Sequence, residues 1–214
     1  RNPFRISLDQ ENQLLYWGDV GPDAWSSSTR GPEGFDEINY ASKAGNYGWP
    51  FCIGNNKPYK KPPPIDFGDS REWYDCIGLV NFSHRNTGKK ILPPAQEALI
   101  WYPYLQSPIF SGIVGQGKRA VMAGPVYYSN RNKEFPRYYD GDLFIYDWAR
   151  SKINVVKMAD NWEIINIHRF LPKETFMHPI DMIFDQDGSL LILEYGMMGG
   201  LNGRITRVRY LGDH

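Results

Sequence analysis

Short runs of β-branched and aromatic residues recur along the chain, at 14–17, 99–102, 126–128, 143–146, 153–156, 190–193 and 205–208, each set between clusters of Gly, Pro, Asn and Asp. Branched and aromatic side chains pack well on a pleated surface, and the punctuating residues supply the turns, so these runs predict strands. No long stretch keeps the apolar period of a helix. The expected class is all-β.

An internal repeat narrows the class. Asp140-Gly141-Asp142-Leu143-Phe144-Ile145-Tyr146-Asp147 returns as Asp187-Gly188-Ser189-Leu190-Leu191-Ile192-Leu193-Glu194, an offset of 47 between 140 and 187. Each copy is a tight turn, a strand and a closing acidic residue, and each is followed by another strand. A period of roughly 40–50 residues with several short strands per unit predicts the blades of a β-propeller; two similar hairpins in a sandwich are the alternative. A weaker copy runs from Asp9 through 14–16 to Asp19. It stands more than two periods ahead of Asp147, so a further blade and a long insertion, holding both cysteines and residues 60–64, are expected between them. About three to four blades cannot close a ring, and an open arc exposes sheet edges and faces. Further blades in a longer natural protein, or a second copy of the chain, are expected to complete it. The chain also starts at Arg1 inside what reads as a motif, so upstream sequence is expected.

Composition sets limits on partners. With 42% hydrophobic residues, 22% charged and a net charge of zero, the chain reads as soluble and globular. The absence of a basic run removes the electrostatic case for nucleic acid. No apolar run approaches the roughly 18 residues of a spanning helix, so no membrane span is expected. Cys52 and Cys76 lie in loop-like sequence; they form either a disulfide in a secreted or periplasmic protein or two unrelated thiols. Neither has a CxxC partner or a nearby histidine to suggest a metal site. Asp140, Asp142 and Asp147 read as turn caps in preference to a glycosidase pair. Neither a serine elbow nor a phosphate-gripping glycine loop is present.

Four motifs in one order, Arg1-Asn2-Pro3-Phe4-Arg5, Gly18-Asp19-Val20-Gly21-Pro22-Asp23, Phe35-Asp36-Glu37-Ile38-Asn39 and Gly45-Asn46-Tyr47-Gly48-Trp49-Pro50, resemble the glucose/sorbosone dehydrogenase family. Ala123-Gly124-Pro125-Val126-Tyr127 and His178-Pro179-Ile180-Asp181-Met182 extend the likeness over most of the chain. The resemblance implies a six-bladed propeller of which residues 1–214 form about the second half, with a disulfide-containing insertion near 50–98. It implies oxidation of a sugar or aldose hydroxyl, hydride passing to pyrroloquinoline quinone held beside calcium. It places the carbonyls of Gly21 and Pro22 on that calcium, since a sharp turn after a strand can aim carbonyls at a hard cation. Asp36, Glu37 and Tyr47 are placed on a second, structural calcium. Arg1 and Asn2 are placed on the quinone, arginine's planar fork matching a carboxylate. The family's quinone-clamping lysine falls on Ala149, with Arg150 beside it as the substitute, and two family arginines fall on His178 and Ile180.

No catalytic residue is assigned, because the family's basic histidine belongs to a blade upstream of Arg1. None of His84, His168, His178 or His214 takes its place. A second reading, from a different class, is a non-enzymatic propeller that binds a small sugar, a polysaccharide or a protein. Trp73, Tyr74, Trp101, Tyr102 and Tyr104 would be its stacking residues.

Overall fold

The computed structural model describes residues 1–61, 72–131, 135–197 and 199–212. Residues 62–64 of the expected insertion, and His214, lie outside them. In chain order the strands are β1 (Pro3–Asp9), β2 (Leu14–Asp19), β3 (Asp36–Ala41), β4 (Cys52–Ile53), β5 (Lys57–Pro58), β6 (Ile100–Tyr102) and β7 (Val121–Val126). They continue with β8 (Leu143–Asp147), β9 (Lys152–Met158), β10 (Ile164–Arg169), β11 (Pro179–Phe184), β12 (Leu190–Glu194) and β13 (Arg204–Val208). The one helical element among the described residues is a 3-10 turn at Arg137–Tyr139; no helix is long and apolar enough to cross a membrane.

Three antiparallel sheets follow one another as blades of a partial β-propeller. The first has the order β1-β2-β3-β6, the second β7-β8-β9-β10 counted from the inside, and the third β11-β12-β13. The inner strands β1, β7 and β11 lie against one another in sequence. Strand alternation explains why the blades stack face to face. On the middle blade Val121, Ala123, Leu143, Ile145 and Val156 pack with Leu14, Tyr16, Ile38, Ile100 and Tyr102 of the first. The intervening residues Met122, Phe144, Tyr146, Ile153 and Val155 pack with Met182, Leu190 and Ile192 of the third. A blade buried on both faces needs continuous apolar strands, and all of Leu143–Asp147 is buried. The outward faces of the first and third blades are open: Phe4, Ile6 and Leu8 on one, and Ile183, Leu193 and Ile205 on the other, are exposed.

Several expectations change. Among the described residues no further blade separates the first two. The described residues between β3 and β6 instead form an excursion carrying the β4-β5 hairpin and the Cys52–Cys76 disulfide over a small core of Leu79 and Ala95. Of the run at 126–128 only Val126 lies in a strand, as the last residue of one starting at Val121. Strands β1, β3, β10 and β11 had no apolar run to mark them, since each interleaves polar residues such as Arg5, Asn39, Asn166 and Asp181 with its apolar ones.

Candidate functional site

Each blade presents the same end to one rim, and the acid closing its second strand fixes that end. Asp19 accepts the N–H of Asn2 at 2.6 Å, Asp147 accepts that of Ala120 at 3.1 Å, and Glu194 accepts that of Met177. Each donor lies just ahead of an inner strand. The acidic residue of the sequence repeat is therefore a clasp between the first and second strands of a blade. Carboxylates accept such bonds strongly, which keeps the strand starts, and the loops hung from them, in register.

The Gly21-Pro22 turn leaves β2 at this rim. A Cβ on Gly21 would lie 1.7 Å from the Phe35 carbonyl oxygen, and one on Gly34 would lie 1.8 Å from that of Pro22. Only glycine allows the two segments so close. Gly21 N–H donates to Asp36 Oδ1 at 3.0 Å, and Val121 N–H donates to Asp36 Oδ2 at 2.9 Å, tying the corner to the second blade.

Arg119, its side chain buried, closes the corner. Its Nε lies 3.0 Å from Asp36 Oδ1, off the hydrogen-bond axis, and its Nη2 donates to the Pro22 carbonyl at 2.9 Å. Its guanidinium carbon sits 3.9 Å from the centre of the Tyr104 ring. Tyr104 in turn donates its hydroxyl to Asp23 and stacks at 4.1 Å on the exposed Trp25. Burial drives the Asp36 carboxyl upward from its ordinary range, and the Arg119 charge opposes that rise. From the start of β1, Arg1 Nη1 donates to the carbonyls of Val20 and Gly21, both at 2.8 Å.

The other expected site residues are dispersed. Arg150 is buried, donating Nη2 to the Pro103 carbonyl at 2.9 Å and lying 3.8 Å from Asp147; it pins the 103–104 segment and faces no open rim. Asp36 and Glu37 are neighbours on β3 and point to opposite faces. Asp36 meets β7, while Glu37 meets the excursion by accepting Gly54 N–H. Tyr47 packs edge-on against Trp17 at 4.6 Å. His178 Nδ1 lies 2.7 Å from the Trp148 carbonyl oxygen. Of the five expected stacking residues, Tyr102 and Tyr104 are buried, Trp101 packs on Phe110, Tyr74 on Phe51, and the exposed Trp73 has Lys60 Nζ 5.1 Å from its ring centre, so they form no common platform. Sequence reasoning missed Arg119: the Lys118-Arg119 pair ahead of an apolar strand carries no spacing signal.

Calcium takes roughly six to eight oxygens at about 2.3–2.6 Å. Here the Gly21 and Pro22 carbonyls each accept from a guanidinium, and both oxygens of Asp36 are engaged. Nη1 of Arg119 is buried without an acceptor. A buried donor among guanidinium groups fits another oxygen acceptor, so calcium does not fit this corner. Of the residues expected on a second calcium, Asp36 and Glu37 face opposite sides of β3 and the Tyr47 ring packs on Trp17. No group of three or more His, Cys, Asp or Glu suited to a metal occurs among the described residues. Toward the quinone the rim offers Arg1 and Asn2, so the quinone fits only if further cations come from elsewhere in a complete propeller.

No protein-family model and no curated protein matches the chain. Among solved structures it is similar to an oxidoreductase (glucose dehydrogenase) from Thermus thermophilus, with a TM-score of 0.53 and 16% identity, covering 97% of this chain and 45% of that one. It is also similar to a glucose dehydrogenase at TM-score 0.55 and 16% identity, covering 97% and 44%, and to another at 0.54 and 15%, again covering 97% and 44%. These likenesses show a shared fold. The chain spans less than half the length of the structures it matches.

Proposed function

We propose that the chain is part of a sugar-dehydrogenase-like propeller, and that the complete propeller oxidises a sugar hydroxyl at the clasped rim with hydride passing to pyrroloquinoline quinone. The observation that carries this reading is the meeting of Arg1, Asn2 and the Gly21-Pro22 corner at one point, with Arg1 Nη1 2.8 Å from the Gly21 carbonyl oxygen and Val20 N–H donating to the Asn2 carbonyl at 3.2 Å. Motifs remote in sequence thus share one rim, as the family resemblance requires, and the fold is that of glucose dehydrogenase structures. When bound, the quinone supplies the hydride acceptor. This chain's own residues orient ligand at one side of it: Arg1 as cation, Asn2 as a neutral hydrogen-bonding partner. The base and the remaining cations come from the other blades. The Cys52–Cys76 disulfide suits a secreted or periplasmic setting.

Titrating the full-length protein with the quinone, and following dye reduction with a panel of sugars, tests this reading. Saturable quinone binding with sugar-dependent reduction is expected; no saturable binding ends the dehydrogenase reading. A second reading, a propeller that binds sugar without oxidising it, draws support from Ala149, His178 and Ile180 standing where cations were expected, and from Arg150 being engaged by backbone carbonyls. Calorimetric sugar binding without dye reduction would select it.

A further inference from the structure

We propose that Arg119 holds the Gly21-Pro22 corner in the role the family resemblance gives to calcium, so that this rim is organised by a guanidinium and binds no divalent metal. The contacts of Arg119 do what a bound cation would do at this turn. It draws the Pro22 carbonyl to Nη2 at 2.9 Å, and it balances Asp36, whose carboxylate holds the Gly21 N–H on one side and Val121 N–H on the other. The Asp36 and Arg119 side chains are 0% and 1% exposed, so their charges are screened little by solvent. Space is taken as well as charge: Nη2 sits 2.9 Å from the Pro22 carbonyl oxygen, and Gly34 packs so close to both that a Cβ on it would lie 1.8 Å from that oxygen and 2.7 Å from Nη2. The orphaned Nη1 adds a buried positive edge that repels a second cation. Arginine's fork also reaches two partners at once, carbonyl and carboxylate, which a lysine ammonium does with less geometric definition. Because Arg119 precedes β7, the clamp couples the corner of one blade to the inner strand of the next. The inference holds for an oxidising and for a purely binding propeller alike.

Terbium is a calcium mimic whose emission an adjacent tryptophan sensitises, and Trp25 stands over Tyr104 beside the clamp. In the full-length protein, no saturable emission displaced by calcium and lost in Trp25→Phe is expected up to about 1 mM, the weak end of calcium modules. In Arg119→Met, shown by circular dichroism to be folded, a Trp25-dependent terbium signal should appear as Asp36 and the Pro22 carbonyl are released. Arg119→Lys, which keeps the charge, should stay silent. A Trp25-dependent, calcium-displaceable signal in the unmutated protein overturns the proposal, and so does a folded Arg119→Met that remains silent. Neither readout involves the quinone or dye reduction, so failure here and failure of the dehydrogenase reading are separately visible.

Discussion

Glu37 offers a quantitative test of how the excursion is seated on the first blade. Its side chain accepts the Gly54 N–H and, at 3.3 Å, the Asn39 amide, and it has no ion-pair partner among the described residues. At 7% exposure, burial pushes its carboxyl up to about 7 despite those two donors, the Asp19 charge adding to the rise. In the unfolded chain the same group titrates near 4.5. The folded state therefore holds the proton more tightly, and as pH rises from 4.5 toward 7 the unfolded state releases it first, so stability falls. At about 1.4 kcal/mol per pH unit the penalty reaches about 3 kcal/mol above pH 7 and vanishes below pH 4.5. Glu37→Gln removes the titration while keeping an acceptor for Gly54. At roughly 2–4 °C per kcal/mol for a chain of this size, the melting temperature of the variant relative to the unmutated protein should rise by about 5–10 °C between about pH 5 and about pH 8. Calorimetric melts in matched buffers read this directly, because other carboxyls titrate alike in both proteins and cancel. Parallel curves across that range would refute the reasoning: Glu37 would then not be buried and unpaired under the excursion.

Asp147→Ala leaves the Tyr102 hydroxyl and the N–H groups of Ala120 and Arg150 without their acceptor and Arg150 without its counter-charge. A loss of about 3–5 kcal/mol is expected in denaturant unfolding, against about 1 kcal/mol for Asp19→Ala at the more accessible first clasp. Cys76→Ser opens a loop whose ends are 24 residues apart and should cost about 3 kcal/mol, seen as a lower denaturation midpoint in the variant, with reducing agent lowering the midpoint of the unmutated protein and leaving that of the variant unchanged. Gly34→Ala drives a methyl into the Pro22 carbonyl and should cost about 1–3 kcal/mol, with acrylamide quenching of Trp25 increasing as the corner opens; a variant with unchanged melting and quenching contradicts the close approach of the two segments.

The sequence made the blades legible where the second strand of a blade keeps an unbroken apolar run. Leu143–Asp147 and Leu190–Glu194 are apolar throughout their middle and appear as plain runs. β1 was not visible because Arg5 and Ser7 interrupt Phe4, Ile6 and Leu8, leaving no apolar run. Motif order located the corner, since a Gly-Pro turn after a strand is a local feature. Its chemistry was not local. Arg119 reaches Pro22 across 97 positions and Asp36 across 83, and nothing in either neighbourhood announces the other. The space of about 500 Å³ between β1, β7 and β11 is lined by Ser7, Asp9, Val126, Tyr128 and Phe184, from the downstream halves of those strands and beyond, while the corner adjoins their starts.

The clasp that gives the blades their repeat also decides what charge the rim can show a ligand. Each closing acid at the buried joints has an arginine set against it or nearby: Arg150 3.8 Å from Asp147, and Arg204 2.9 Å from Glu194. Arg119 is held between Asp36 and the Pro22 carbonyl, and Arg150 is further engaged by the Pro103 and Tyr104 carbonyls. Guanidinium groups that would otherwise face outward are thus committed to holding loops onto strands, and a committed arginine reaches a ligand only by giving up a bond whose backbone acceptor would be left bare. A polyanion gains little from such a rim unless other blades supply the missing cations. A neutral, hydroxyl-rich ligand loses nothing by it, since fixed carbonyls, carboxylates and a stacked Trp25 are the groups that recognise hydroxyls and apolar sugar faces. On the proposed reading, guanidinium groups committed in this way favour a neutral ligand over a polyanion at this rim.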